Sequence, residues 1–154
     1  MKLNCLDAVI RAATPADATV WESMRRKLWP DGAADHGPEI DAFFAGHLFK
    51  DLCAVLVAES RSGDILGFAE LSIRNDLPEL EGKKIGYVEG LFVSPELRHN
   101  GIARKLLRAS QDWARQQGCL AFASDRADRI VIDRSFGPGE TAQFPSSIDP
   151  RLAR

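Results

Sequence analysis

Cysteine is scarce in this chain: Cys5, Cys53 and Cys119 are the only three among 154 residues. An odd number at spacings unlike any zinc or iron–sulfur pattern argues against a disulfide framework and against a bound metal. Two of them lie in apolar runs, which predicts buried free thiols and disfavours a cysteine nucleophile. Long hydrophobic runs are missing too. No stretch nears the roughly 20 apolar residues of a membrane-crossing helix, and residues 1–30 lack the apolar block of a secretion signal, so a cytoplasmic protein with no membrane partner is expected. The formal net charge is only −2, which excludes the broad basic surface of a general nucleic-acid binder. Repeats, low-complexity tracts and an internal linker are also absent. With 45% hydrophobic residues the chain can bury a core, so residues 1–154 are expected to form one domain, with 126–154 as an atypical tail.

What is present centres on Tyr87-Val-Glu-Gly-Leu-Phe-Val-Ser-Pro-Glu-Leu-Arg-His-Asn-Gly-Ile-Ala-Arg-Lys-Leu-Leu107. Its first part is apolar, β-branched or aromatic up to Val93, and Pro95 then stops a strand because it has no N–H for a ladder. Apolar residues next recur at Ile102, Leu106, Ala109 and Trp113, which is helical spacing. Between the two lie Arg98, His99, Asn100 and Gly101. A glycine at a helix mouth leaves backbone N–H groups free at the positive end of the helix dipole, a place that binds phosphate. Arg98, Arg104, Lys105 and Arg108 add attraction for a polyanion.

Val93-x-Pro95-x-x-Arg98-x-x-Gly101-x-Ala103 resembles the acetyl-coenzyme A motif of the GNAT superfamily of N-acetyltransferases, whose pattern is Arg/Gln-x-x-Gly-x-Gly/Ala. Within it, Arg25-Arg-Lys-Leu-Trp-Pro30, Gly67-Phe-Ala-Glu-Leu-Ser-Ile-Arg74, Val88-Glu-Gly-Leu-Phe-Val-Ser-Pro95 and Ala123-Ser-Asp125 are similar to the aminoglycoside 6'-N-acetyltransferases. The resemblance implies transfer of acetyl from acetyl-coenzyme A to a primary amine of a polycationic aminosugar, an antibiotic-resistance activity, without a covalent enzyme intermediate. It implies that the backbone at Leu91, Phe92 and Val93 holds the pantetheine arm and the thioester oxygen. Arg98 and the amides of His99, Asn100, Gly101, Ile102 and Ala103 would hold the pyrophosphate. The family often places a Tyr near the leaving thiol from its C-terminal part, but Tyr87 is the only Tyr here.

An amine attacks a carbonyl only as the neutral base, so a site for such chemistry needs carboxylates that attract ammonium and a route for the proton. Glu89 stands in the apolar run of the central strand, on the face expected to carry Tyr87 and Leu91, where a carboxylate is costly without a partner or a task. Asp125 ends the following strand, and both acids could reach one crevice at the strand ends. Asp125 is assigned to binding the amine and Glu89 to binding it or to water-mediated proton acceptance. Simple pairing of Glu89 with an arginine is the plainer alternative. Trp29, before Pro30, either covers a ligand ring or caps a helix end. Acids also gather at Asp31, Asp35, Glu39 and Asp41 and at Asp76, Glu79 and Glu81, as if to form one mouth of a cleft.

The chain in order predicts strand 8–13, a helix started by Thr14-Pro15 with a stripe through Val20, Trp21, Met24 and Leu28, and a mobile segment around His36. A second helix through Ile40, Phe43, Phe44, Leu48 and Leu52, hairpin strands 53–60 and 65–74, strand 85–93, a helix to about 117 and strand 119–125 follow. That order predicts an α/β (α+β) fold: a GNAT-like mixed, mostly antiparallel sheet flanked by helices on both faces. After Asp125 the sequence departs from the family: Pro138, Pro145 and Pro150 stand where the family has paired strands that complete the sheet and contribute to a homodimer. Besides an acetyltransferase for aminoglycosides, the sequence admits one for another cationic amine, or an acyl-coenzyme A-binding remnant.

Overall fold

The computed structural model describes residues 7–31, 36–46, 52–126, 129–133 and 135–136. Their strands are β1 (Val9–Ala12), β2 (Leu52–Glu59), β3 (Ile65–Arg74), β4 (Ile85–Val93), β5 (Ala121–Arg126) and β6 (Arg129–Ile132). The helices are α1 (Ala18–Leu28), α2 (His36–Phe44) and α3 (Ile102–Gln116). All the strands join one sheet in chain order, antiparallel except for the parallel pair β4–β5, which needs the long crossover that α3 provides. The mixed, mostly antiparallel sheet expected from the sequence is therefore the architecture of the protein.

Side-chain alternation decides which face each helix covers. On β3, Ala69 and Leu71 join Leu56, Val88, Leu106, Trp113 and Phe122 in the core beneath α3. Phe68 points the other way, toward Trp21 and Met24 of α1 and Ile40 of α2. Helices thus cover both faces, as the apolar stripes predict.

Four expectations need correction. His36 is the first residue of α2 and is buried, so it belongs to the packed structure. Leu52 opens β2, while Leu48 lies outside the described residues. Cys53 is exposed between buried Leu52 and Ala54, because the β2–β3 register shifts there and turns it outward; Cys119 is buried as expected. Finally, the chain past Asp125 does form a short strand. β6 pairs Ile130 with Asp125 and Ile132 with Ala123, and Phe136 stacks on Phe122 at 5.6 Å. The strand is short, four residues, and the prolines that argued against a long paired strand come later and lie outside the described residues.

The turn from β1 into α1 is held electrostatically. Asp17 accepts the Thr14 N–H at 2.7 Å and a two-pronged pair from Arg11 at 2.8 and 2.9 Å, while Arg11 also reaches Glu59 of β2 at 2.7 Å. Hydrogen bonding to Arg11 holds the Asp17 carboxyl below its usual range, against the cost of burial. A depressed folded value means the pair contributes fully above the unfolded value of about 4 and is lost as pH falls through the folded one. Urea unfolding between pH 7 and pH 3 should therefore fall more steeply for the wild type than for Asp17→Asn, and parallel curves would remove this role.

Candidate active site

Glu89 is an extra residue in its strand. The β3–β4 ladder pairs Glu70 with Gly90 and Leu71 with Val88, so Glu89 has no partner opposite it and forms a bulge. The parallel pairing with β5 ends at the same level, at Val88 with Ser124, and β5 continues with Asp125 and Arg126 paired only to β6. β4 and β5 therefore diverge, and among the described residues no strand covers the β5-facing edge of β4 from Glu89 to Val93.

The polar groups on that edge follow from alternation. Ser94 donates its N–H to Leu66 at 3.0 Å, so N–H groups at alternate positions back along the strand, Phe92 and Gly90, also face β3. Those of Leu91 and Val93 face the opening. Arg98 supports this assignment, since its Nε donates to the Val93 carbonyl at 3.1 Å from the far side. Phe92, between them, turns its N–H to the β3 ladder, and its ring is buried and stacks on Phe68 at 6.1 Å. Two backbone donors spaced along an uncovered strand edge suit an extended, amide-bearing chain and a carbonyl oxygen that gains charge.

One turn beyond lies the second donor group. His99 and Gly101 both take left-handed backbone, with φ of 68° and 85°, and so bend the chain sharply into α3. Lys105 makes the first helical bond back to Gly101 at 3.0 Å, which leaves the first-turn N–H groups of Ile102, Ala103 and Arg104 aimed outward, and Gly101 brings no capping side chain. The Ile102 side chain is buried and fixes the turn, whereas Arg98, His99, Asn100, Gly101 and Ala103 are exposed. These features fit a pyrophosphate. Lys105 Nζ donates to the Ala8 carbonyl at 2.9 Å, next to β1.

The two acids lie around Tyr87 and Arg74 where β4 and β5 part. Asp125 is exposed and accepts a hydrogen bond from the hydroxyl of buried Tyr87. Glu89 accepts Nε and Nη2 of Arg74 at 2.9 and 2.8 Å and the Ser72 hydroxyl. The Arg74 guanidinium also lies 4.0 Å from the centre of the Tyr87 ring. Burial first, and then the bond to Asp125, push the Tyr87 phenol up, so it stays protonated and committed to Asp125. The bulge keeps Glu89 with Tyr87 but turns Leu91 to the α3 face, against the sequence expectation that all three share one face.

Trp29 adjoins this cluster. It ends α1 as its C-cap, and its ring lies against the backbone of Gly90, the next residue after the bulge. Behind it Arg25, buried, pairs with Glu39 at 2.7 Å and Glu70 at 2.9 Å and lies 5.2 Å from the Trp29 ring. Trp21 Nε1 donates to Glu70 at 3.0 Å. Burial pushes the Glu70 carboxyl up, and Arg25 opposes that. Glu39 is thus an internal partner of Arg25 and no cleft-mouth acid, and Asp35 lies outside the described residues. Pairing of Glu89 with an arginine, the plainer alternative, is what the structure shows, and Arg74 is that arginine; Ser72 and Tyr87 were not expected as partners of the two acids. The signal existed, because alternation puts Arg74 on the face that carries Glu70 and Ser72.

A family model described as the acetyltransferase (GNAT) family matches residues 21–131. The aminoglycoside N(6')-acetyltransferase type 1 of Klebsiella aerogenes is 41% identical over 118 residues, covering 76% of this chain and 77% of that protein. A solved structure of AAC(6')-Iy with the bisubstrate analog CoA-S-monomethyl-acetylneamine superposes with a TM-score of 0.68 at 30% identity, covering 79% of this chain and 81% of that one. The apo crystal structure of the aminoglycoside 6'-N-acetyltransferase AAC(6')-IG from Acinetobacter haemolyticus gives a TM-score of 0.65 at 34% identity, with 77% and 79% covered.

Proposed function

The chain belongs to the acetyltransferase (GNAT) family, and from that premise we propose that it moves the acetyl group of acetyl-coenzyme A to the 6'-amine of an aminoglycoside. The observation that carries this reading is the uncovered β4 edge, with the N–H groups of Leu91 and Val93 facing the same opening that Asp125 and Glu89 flank. The likeness to proteins named as aminoglycoside acetyltransferases supports the choice of acceptor.

In this mechanism the first turn of α3 holds the pyrophosphate, and the β4 edge holds the pantetheine arm and receives the thioester oxygen. Asp125 anchors an ammonium group of the acceptor, and the deprotonated amine nitrogen attacks the acetyl carbon. Charge building on the carbonyl oxygen is met by fixed N–H donors, and the C–S bond then breaks to release thiolate. The nitrogen sheds its extra proton through water toward Glu89. Water also protonates the thiolate, since the Tyr87 hydroxyl is engaged with Asp125. Acetyl-coenzyme A is a cytoplasmic metabolite, so the protein is assigned to that compartment.

A thiol-release assay across aminosugars, polyamines and peptide amines tests the assignment. Kanamycin-like amines should give turnover, and Asp125→Asn should raise the acceptor KM by about ten- to a hundredfold, the loss of one charge-assisted contact, with the acetyl-coenzyme A KM unchanged. Turnover only on other amines would transfer the activity to a different acceptor. Coenzyme A binding without turnover on any amine would make the chain an acyl-coenzyme A binder.

A further inference from the structure

An alkylammonium is recognised by carboxylates and by the face of an aromatic ring, and the acceptor side has both in Glu89 and in Tyr87, whose ring is buried with Arg74 over it. One residue of the chain already engages them together. Arg74 spans both Glu89 oxygens at 2.9 and 2.8 Å while its guanidinium lies 4.0 Å from the Tyr87 ring centre. The ring cannot turn away, because its hydroxyl is tied to Asp125. The pair is nevertheless accessible: the Arg74 and Glu89 side chains keep 32% and 24% of their surface exposed.

We propose that Arg74 is a specificity-determining resident cation, filling a second ammonium subsite between Glu89 and Tyr87 that an acceptor can enter only by displacing it. The inference rests on the cationic-amine reading above. Of the two carboxylates around Tyr87, Glu89 is balanced by Arg74, and Asp125 is bonded to a neutral phenol. The first ammonium group therefore goes to Asp125. A second must exchange one cation–carboxylate pair for another, which gains little. Arg74 in this way sets how many positive groups the cleft rewards, and it handicaps the more highly charged acceptors.

The test compares wild type, Arg74→Met and Arg74→Lys with two probes, methyl 6-amino-6-deoxyglucoside with a single ammonium and neamine with several. Arg74→Met should lower the neamine KM by about tenfold, since the released carboxylate and ring can take a second ammonium. The single-ammonium probe, already served by Asp125, and acetyl-coenzyme A should keep their KM values. Arg74→Lys retains the charge without the fork, so its neamine KM should fall between the two, and it decides the matter if Arg74→Met does not fold. An unchanged or raised neamine KM in a folded variant, with neamine still acetylated by wild type, overturns the inference and leaves the acetyltransferase reading intact. A wild-type protein that acetylates no amine overturns both.

Discussion

Leu91→Pro should lower kcat by about 10²–10³-fold while the protein stays folded, because it deletes one backbone donor aimed at a developing oxyanion. Proline is tolerated in a strand only where the N–H serves no ladder bond. Leu91 meets that condition, since its N–H faces the edge that β5 leaves at Val88. Phe92 is the control. Its N–H faces β3 in the middle of the longest-paired strands, so Phe92→Pro should collapse the sheet and abolish soluble protein. The Leu91 side chain packs against the α3 core, and some stability will go with it. A backbone ester at Leu91 in semisynthetic protein keeps that packing and removes only the donor. If the folded variant or the ester retains kcat within a few-fold of wild type, the Leu91 N–H is no oxyanion donor and the thioester must lie elsewhere.

The same residues explain what could and could not be seen in the sequence. Strand β3 was legible because a two-residue period sorts Phe68, Glu70 and Ser72 from Ala69, Leu71 and Ile73, and the cores on its two faces follow that sorting. Gly101 was legible as a glycine at a helix mouth, and it is the N-cap of α3; its positive φ adds a backbone reason for glycine there. The bulge was hidden. A period of two runs through Tyr87, Glu89 and Leu91 without interruption, and the extra residue exists only relative to β3, a partner from elsewhere in the chain. With the bulge went the divergence of β4 from β5, which creates the opening. Charge was similarly ambiguous. Glu39 and Glu89 look alike as isolated acids, and only packing reveals that one neutralises buried Arg25 while the other meets Arg74 at the cleft. β6 was missed because short strands next to proline-rich sequence carry little signal of their own, and its register comes from β5.

Trp29 kept two readings in the sequence, helix cap or cover for a ligand ring; it is the C-cap of α1, and its ring lies against Gly90, next to Glu89. A Cβ placed on Gly90 would stand 2.7 Å from Trp29 Cη2 and 2.8 Å from Cζ2, closer than carbon atoms approach. The ring cannot yield freely, since Arg25 lies over it and is itself pinned between Glu39 and Glu70. Gly90→Ala must therefore push the end of α1 away from β4, at a cost of about 1–3 kcal/mol for overpacking. The displaced wall adjoins Glu89, so the acceptor KM should rise while the acetyl-coenzyme A KM, set across the cleft, holds. Trp29→Ala alone should also destabilise, through lost burial. Combined with Gly90→Ala it removes the clash, so the double variant should be more stable than the sum of the two single losses by about 0.5–3 kcal/mol. Strict additivity in urea unfolding would mean that the ring and the strand do not touch in solution. Trp29 would then be a helix cap alone, with no part in shaping the acceptor side.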